Sequence, residues 1–450
     1  MVCRHLGSPP LRIAALSVVL ALAAGVTGCR DEAASPPPVT PPRPVVLIGV
    51  DGLEWRVVLD LVAEGRMPVL ARLMDEGTFG YLETMPRTES PIIWTSVATG
   101  KTPEKHGILG FTKSGSGPPE LFSNRDRKTK ALWNIFSEAG RPVHSIGWWM
   151  TFPAEPIHGV MVAQTNTGGQ IRPEGAPRPW KGTVIRGLEG QVTPAERQNG
   201  VIETAREVDA SLPELTRQTF GELPASLSPA DAWAWEQSQR SFRADTTYLR
   251  VARGLLAESS PDLLLVYFGA PDVVGHRFWR HAYPGDFDVP PSEEETAALG
   301  DIIGDTYAWV DAAIGALLEA HGGEDPTVLV VSDHGMRAAH RRRTDWSRPG
   351  DFSGAHTRGE PGVLIVSGGH ARSTPVSPGA GEGAPLAVSD LPALGSVLDL
   401  TPTILALAGL PVGEDMDGEI LAHVLEDGFL EAHPPSTIET HDTAAWLESR

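Results

Sequence analysis

An unbroken apolar run, Val45-Val46-Leu47-Ile48-Gly49-Val50, is followed directly by Asp51-Gly52. A strand buried on both faces of a sheet needs such a run, because neither set of alternating side chains meets water. Similar apolar runs occur at 143–148, 263–268, 327–331 and 362–366. Helical patterns lie between most of them, at 66–76, 91–99, 240–258, 302–320 and 396–409. This alternation predicts an α/β fold with a mainly parallel sheet.

Metal-ligand side chains follow or flank several of these runs. The six residues are Asp51, Asp272, His276, Asp333, His334 and His356. In open α/β sheets, ligands bind beyond the carboxyl ends of the strands. The i,i+4 spacing of Asp272 and His276 puts both side chains on one face of a helical turn. Carboxylate and imidazole groups suit Zn²⁺ and similar ions, so the set predicts a metal site.

Each of these residues also has an ordinary structural interpretation. Asp51 and Asp333 could be turn residues or helix caps, and Asp272 with His276 an exposed pair on a helix. His356 alone would be a loop histidine. The hypothesis of a metal site therefore depends on all six residues taken together.

Ser90 is the candidate nucleophile. It is expected to be the N-cap of a helix over 91–99 that begins with proline. The free N–H groups and the dipole at that helix end would stabilise an alkoxide and a bound phosphoryl oxygen, and metal coordination would activate the hydroxyl. The alternative is that Ser90 is a simple helix cap, and Thr88 is the second candidate for the nucleophile.

Composition and charge indicate a globular protein that does not bind nucleic acid. The chain has 450 residues, of which 41% are apolar and 21% charged, as in an ordinary globular protein. The formal net charge is 37 − 57 = −20, which argues against nucleic acid as a partner. The only cysteines are Cys3 and Cys29, so a metal site in the folded domain would use His and carboxylate ligands.

The N-terminus predicts export. Arg4 and Arg12 precede an apolar stretch over 13–26, which is typical of a signal peptide, assigned here to 1–28. The stretch ends in Val26-Thr27-Gly28-Cys29, which resembles a bacterial lipobox in which Cys29 is lipidated. The alternatives are a plain signal peptide or a single transmembrane anchor. We therefore expect an exported bacterial lipoprotein, anchored to a membrane by its lipid and facing the periplasm or the cell surface.

The rest of the chain divides into three predicted parts. Residues 29–43 form a proline-rich tether, 44–430 a catalytic domain, and 431–450 a C-terminal tail. Within the domain, 113–240 is rich in Pro, Gly, Arg and Thr, and its periodicity is poor. We expect this region to be a cap or insertion that shapes the substrate pocket around a strand at 143–148. Segments 280–298 and 370–388 are expected to be loops.

Three segments, in this order along the chain, carry a family resemblance. They are Val46 through Asp51-Gly52, Ser90-Pro91 through His106-Gly107-Ile108, and Leu398 through Leu405 with Met416-Asp417-Gly418. They resemble the first metal strand, the nucleophile helix and the closing segment of the type I phosphodiesterase/nucleotide pyrophosphatase family, which belongs to the alkaline phosphatase superfamily. The resemblance implies an alkaline-phosphatase-like three-layer sandwich, with helices on both faces of the sheet and an inserted cap.

The resemblance also implies roles for the candidate residues. One divalent cation would be held by Asp272, His276 and His356, and a second by Asp51, Asp333, His334 and the Ser90 oxygen. Zinc is the preferred identity, with Mn²⁺ or Fe as alternatives. Ser90 would attack the phosphorus of a small-molecule phosphate ester, form a phosphoserine, and be released by water.

One position departs from the family pattern. The family Asn after His-Gly, which contacts a phosphate oxygen, falls at Phe111, or at Gly110 with a one-residue shift. Lys113 and Arg277 are candidates to replace that contact. A sulfatase is disfavoured, because no Arg follows Ser90-Pro91 at the place where sulfatases carry one. A relative of phosphoglycerate mutase is disfavoured, because the mutase reaction is cytosolic and this chain carries a predicted export signal. A phospho-headgroup transferase and a non-catalytic metal-binding surface lipoprotein remain open, and the sequence specifies no oligomeric state.

Overall fold

The computed structural model describes residues 43–113, 120–164, 189–224, 227–322, 325–373 and 386–448. The predicted signal peptide, Cys29 and all of the tether except Arg43 lie outside these residues. Among the residues described, no helix combines the length and the apolar character needed to cross a bilayer.

A nine-stranded sheet forms the centre of the fold. Its strands are β1 (Val45–Val50), β2 (Thr78–Glu83), β3 (Val143–Ile146), β4 (Gly159–Val162), β5 (Val192–Thr193), β6 (Leu263–Phe268), β7 (Thr327–Val331), β8 (Gly362–Ser367) and β9 (Ala393–Ser396). Their spatial order is β9-β2-β8-β7-β1-β6-β3-β4-β5. The five strands from β7 to β4 are mutually parallel, whereas β8 is antiparallel to both its neighbours and β5 to β4.

Helices cover both faces of this sheet. They are α1 (Trp55–Ala63), α2 (Pro68–Glu76), α3 (Ser90–Thr99), α4 (Pro103–His106), α5 (Leu132–Glu138), α6 (Gln198–Phe220), α7 (Pro229–Glu258), α8 (Ala270–Ala282), α9 (Glu293–Leu299), α10 (Ile302–His321), α11 (Leu400–Leu407), α12 (Phe429–Ala432) and α13 (Ala444–Glu448). Three two-stranded ribbons pair Thr112–Lys113 with Glu120–Leu121, Arg337–Ala338 with Gly354–Ala355, and Val412–Gly413 with Thr437–Ile438.

The side chains of the central strand β1 point into both faces of the sheet, where helices pack on either side and make a three-layer fold. All six of its residues are buried. Val46, Ile48 and Val50 pack into a core with α1, α2, α7, α8 and α10, whereas Val45 and Leu47 pack into a second core with α3, α5 and α11. Because successive side chains of a strand point to opposite faces, one apolar run supplies both cores. The prediction of an α/β sandwich with a mainly parallel sheet is confirmed.

The region 113–240 is more regular than its sequence suggested. It contains the 23-residue helix α6 and the start of α7, which begins at Pro229 and not near residue 240. The inward face of α6 is formed by Val201, Ala205 and Val208, spaced i, i+4 and i+7. This spacing is typical of a helix with a narrow apolar face. The helix was not predicted, because Gly200, Pro213 and many charged residues interrupt the apolar pattern.

Strand β2 was not predicted, because its stability comes from its neighbours. Its sequence contains Gly80, and its residues pair with β8 on one side and β9 on the other. A side chain at position 80 would meet the backbone oxygen of Pro392 at 2.3 Å, so the glycine permits close packing beside β9. Local pattern alone does not reveal such a strand.

Candidate metal centre

The six predicted ligand residues converge at one edge of the sheet. Asp51 follows β1, Asp333 and His334 follow β7, and Asp272 lies in the first turn of α8, just after β6. Strands β7, β1 and β6 are adjacent and parallel, so their carboxyl ends meet. Strand β8 is antiparallel to β7, and the segment that enters it therefore carries His356 to the same edge.

The first group consists of Asp272, His276 and His356. Nε2 of His276 lies 3.2 Å from Oδ1 of Asp272, and Nε2 of His356 lies 3.6 Å from the same oxygen. The two Nε2 atoms are 3.2 Å apart. The predicted i,i+4 pair stands on a regular helix, because Pro271 occupies the first turn of α8, where a missing N–H costs nothing.

The second group consists of Asp51, Asp333 and His334. Nε2 of His334 lies 3.5 Å from Oδ1 of Asp51 and 3.4 Å from Oδ2 of Asp333. The same nitrogen lies 3.9 Å from Oδ1 of Asp272, so the two groups adjoin. The imidazole rings of His334 and His356 are stacked, with centroids 3.6 Å apart.

These spacings fit divalent cations. A tetrahedral ion with bonds of about 2.0–2.1 Å to nitrogen and oxygen places its ligand atoms about 3.3 Å from one another. The five separations within the two groups run from 3.2 to 3.6 Å. Asp51 and Asp333 are fully buried and Asp272 is 2% exposed, and burying three carboxylates together is costly without cationic charge. The donor set and its geometry therefore suit two metal ions.

Backbone carbonyls orient two of the imidazoles. Nδ1 of His276 lies 2.8 Å from the carbonyl oxygen of Gly354, and Nδ1 of His334 lies 3.0 Å from that of Gly335. A carbonyl oxygen can only accept, so each Nδ1 carries the proton and each Nε2 presents its lone pair to the cluster. Such partners fix the tautomer and ring position of a metal-binding histidine.

Two aromatic side chains hold Asp51, and neither was predicted from the sequence. The Tyr267 hydroxyl and the Trp94 indole N–H donate to Oδ2 of Asp51 at 2.5 and 3.2 Å, and Oδ1 faces His334. Burial, then the charge of Asp51, raises the pKa of Tyr267 well above its usual value, so the hydroxyl stays a donor. Both aromatics lie in predicted elements, but their contacts with Asp51 depend on how β6 and α3 pack against β1, which the sequence pattern does not give.

Ser90 is the first residue of α3, and the helix cap is Glu89. The prediction that Ser90 is the N-cap was therefore wrong by one residue. Glu89 has extended backbone angles, and its carbonyl accepts from the N–H groups of Ile92 and Ile93. Ser90 is 3% exposed, and the Trp94 that bonds Asp51 lies one turn further along the same helix. The Thr88 hydroxyl donates to the carbonyl oxygen of His356 at 3.1 Å.

The two candidate phosphate-contacting cations already have protein partners. Nζ of Lys113 lies 2.8 Å from Glu120 and 2.6 Å from Asp126. The Arg277 guanidinium donates to Oγ of Ser238 at 3.3 Å and lies over the Trp233 ring, and burial lowers its pKa to about 10. Their contact with a phosphate oxygen stays a prediction.

Neither position proposed for the family Asn offers an amide in this chain. Phe111 is 43% exposed and packs its edge against Trp149, with ring centroids 5.8 Å apart. Gly110 has a φ of +148°, and a side chain there would meet Glu89.

Curated relatives match a part of the chain. The 2,3-bisphosphoglycerate-independent phosphoglycerate mutase of Gloeobacter violaceus is 32% identical over 160 residues, which are 35% of this chain and 23% of the mutase. Another such mutase, from a Synechococcus strain, is 27% identical over 179 residues. The chain thus matches about a quarter of the length of these relatives.

Solved structures are similar over more of the chain, at low identity. Human ectonucleotide pyrophosphatase/phosphodiesterase 5 covers 85% of this chain and 100% of its own, with 11% identity and a TM-score of 0.48. A 2-O GAG sulfatase covers 89% of this chain and 76% of its own, with 14% identity and a TM-score of 0.48. No activity follows from scores at this level.

Family membership rests on a match along most of the folded domain. Residues 45–371 match the family model described as type I phosphodiesterase / nucleotide pyrophosphatase. The matched range contains all six clustered ligand residues and Ser90. The chain therefore belongs to the type I phosphodiesterase / nucleotide pyrophosphatase family.

Proposed function

We propose that this protein hydrolyses small-molecule phosphate esters with two divalent cations, most simply zinc, and with Ser90 as the nucleophile. The observation that carries the proposal is the pair of adjoining ligand groups, each with the spacing of a single tetrahedral ion. Asp272, His276 and His356 would hold one cation, and Asp51, Asp333, His334 and the Ser90 oxygen the other. When bound, two such ions stabilise negative charge on the attacking and leaving oxygens of the ester.

The charge count supports entry of an anion despite the overall charge of −20. Two divalent ions contribute +4 and the three aspartates −3, which leaves +1. The Ser90 alkoxide would reduce this to zero. A local field of this kind can admit a phosphate ester even where the rest of the surface repels it.

Ser90 is suited to the chemical step by its place on α3. Its oxygen would attack phosphorus, forming the P–O bond to serine while the bond to the leaving alcohol breaks. Free N–H groups in the first turn of α3 would stabilise the developing charge on the phosphoryl oxygens. Water would then attack the phosphoserine, release phosphate or a phosphomonoester, and restore the hydroxyl. Thr88 would position the His356 segment through its hydrogen bond.

The test compares Ser90→Ala with Thr88→Ala in the full chain. Hydrolysis of aryl phosphate mono- and diesters, trapped phosphoenzyme by mass spectrometry, and bound metal would be measured together. We expect Ser90→Ala to lose phosphoenzyme and about 10³-fold or more of the rate, with metal retained, and Thr88→Ala to keep the phosphoenzyme. A phosphorylated Thr88 in the Ser90→Ala protein would contradict the assignment. Bound metal without turnover of any ester would point to a non-catalytic lipoprotein. Transfer of the phosphoryl-containing group to an added alcohol would point to a transferase.

A further inference from the structure

A cavity lined by arginines lies beside the segments that carry the metal-ligand residues. Its volume is about 930 Å³, and six arginines contribute to its wall: Arg56, Arg337, Arg341, Arg342, Arg343 and Arg358. None of the six clustered ligand residues lines it. So many cations around one space are unusual in a chain whose net charge is −20.

The charge of this arginine cavity is not fully compensated by protein carboxylates. Glu54 and Asp286 are in the lining. Two further carboxylates pair with lining arginines, Asp351 with Arg343 and Glu360 with Arg337. The carboxylate of Asp345 also interacts electrostatically with Arg343, so six cations minus five anions leave +1. Like charges in one concave space repel one another, and an anion bound there would remove that cost.

Four of the arginines are held in place before any ligand arrives. Arg56 pairs with Asp286 at 2.9 Å and lies 3.8 Å over the Tyr283 ring. Arg341 donates to the backbone carbonyl of Asp286, and Arg343 and Arg337 form the ion pairs given above. An ordered guanidinium loses little freedom when it binds a phosphate or sulfate group.

Two arginines have spare capacity. Arg342 and Arg358 are exposed, and within the described parts of the chain their side chains make no ion pair or hydrogen bond. A guanidinium presents five N–H donors in a planar fork that matches phosphate and sulfate oxygens. These two side chains are therefore available to an outside anion.

The cavity is joined to the metal cluster through the backbone. Arg337 lies three residues after His334, and Arg358 lies two residues after His356. The ribbon between these ligands pairs Arg337 with Ala355, and the loop it encloses carries Arg341, Arg342 and Arg343. Oε2 of Glu54, three residues after Asp51, accepts from the N–H of Met336 at 2.8 Å, and both residues line the cavity.

We propose that the arginine cavity is a binding site for an oligo-anion that carries two or more phosphate or sulfate groups. Arg342 and Arg358 contact it directly, and the four held arginines provide the surrounding positive field. The same chemistry has two possible sources, namely the distal part of a substrate whose ester lies at the metal cluster, or a separate anionic ligand. Binding in the cavity does not depend on hydrolysis at the cluster.

The test uses inorganic tripolyphosphate as the probe and the full metal-loaded chain. Binding would be measured by isothermal titration calorimetry at two salt concentrations. Arg342→Glu combined with Arg358→Glu should raise Kd by about tenfold or more. Arg348→Glu is the matched control, since Arg348 is exposed in the same loop but does not line the cavity, and its Kd should stay within about twofold of wild type.

Two further variants separate loss of the arginine fork from misfolding and from binding at the metal cluster. Arg342→Lys with Arg358→Lys keeps the charge but loses the planar fork, and should give an intermediate Kd even if the Glu variants fold poorly. Asp333→Asn alters the metal cluster and should leave tripolyphosphate binding in the cavity intact. Loss of all binding in Asp333→Asn would place the probe at the cluster and overturn the proposal. Equal weakening by Arg348→Glu, or unchanged binding in both double variants, would also overturn it.

Kinetics distinguish the two sources of the anion. If tripolyphosphate raises KM for an aryl phosphate in wild type but not in the Arg342→Glu, Arg358→Glu protein, the cavity holds the distal part of the substrate. If calorimetry detects the site and KM is unchanged, the ligand is a separate anion. Both results require the cavity to bind the probe.

Discussion

The Tyr267 hydroxyl donates a 2.5 Å hydrogen bond to Oδ2 of Asp51, and this contact joins strand β6 to the carboxylate that ends strand β1. The bond is buried and the tyrosine does not ionise, because burial raises its pKa. It leaves Oδ1 of Asp51 facing His334. Tyr267, a residue of the second core, thus orients a candidate metal ligand.

Tyr267→Phe should weaken metal binding without unfolding the protein. The ring stays packed, but Asp51 loses the hydrogen bond from the tyrosine hydroxyl, and loss of such a partner typically costs about 10–100-fold in metal affinity. Competition with a chelator, followed by metal analysis, would measure it. Tyr248→Phe removes another buried hydroxyl, on α7, and serves as control. Equal affinity in wild type and Tyr267→Phe would show that the contact does not orient the ligand.

His356→Ala should empty one metal position selectively. His356 belongs to the group with Asp272 and His276, whereas the second group keeps its three ligands. We expect about half of the bound metal to be lost, measured by elemental analysis after dialysis. The exposed His158→Ala is the control. Complete loss of both metals would mean that the ligand partition is wrong and that the groups bind cooperatively as one.

Stability should fall with acid because of His106. Its Nδ1 accepts from the N–H of Ile108, its Nε2 lies 3.0 Å from Oγ of Ser96, and burial lowers its pKa to about 3. Between about pH 6.5 and pH 3 the unfolded chain binds one more proton here than the folded chain, so the free energy of unfolding falls by about 1.4 kcal/mol per pH unit as pH decreases.

Urea unfolding of wild type and His106→Gln between about pH 4 and pH 6 measures this contribution. The variant should show a shallower dependence on pH, even though it is less stable at pH 7. His158→Gln, an exposed histidine, should keep the wild-type slope. An identical slope in wild type and His106→Gln would rule out a buried neutral imidazole at this position.

Lys101→Met should destabilise the fold far more than Lys105→Met. Lys101 is 2% exposed, and its Nζ lies 2.5 Å from Asp415 and 2.7 Å from Asp442, whereas Lys105 pairs with Asp417 near the surface. Removing the buried cation leaves two carboxylates with reduced solvation, at a cost of roughly 2–4 kcal/mol, against about 0–1 kcal/mol for the exposed pair. Chemical denaturation would measure both. Equal losses would show that Lys101 does not fasten the C-terminal segment.

Much of the fold could be predicted because its central strands have strong local signals. Strands β1, β6 and β7 are almost entirely apolar, and their bounds agree with the predicted runs. The segment after residue 430 had no such signal, yet Thr437–Ile438 pairs with Val412–Gly413 and Asp442 bonds Lys101. These interactions join residues far apart in the chain, so no periodicity reports them.

The amino-acid sequence by itself determined the α/β class, the identity of the clustered carboxylates and imidazoles, and the family, because apolar runs and short motifs are local properties. The tertiary structure alone decided the distances within each ligand group, that Tyr267 and Trp94 hold Asp51, and that six arginines surround one cavity. Those relationships follow from the order and direction of strands in the sheet. Strand order depends on packing between segments far apart in the chain. Contacts that depend on strand order therefore cannot be predicted from the pattern of any single stretch of sequence.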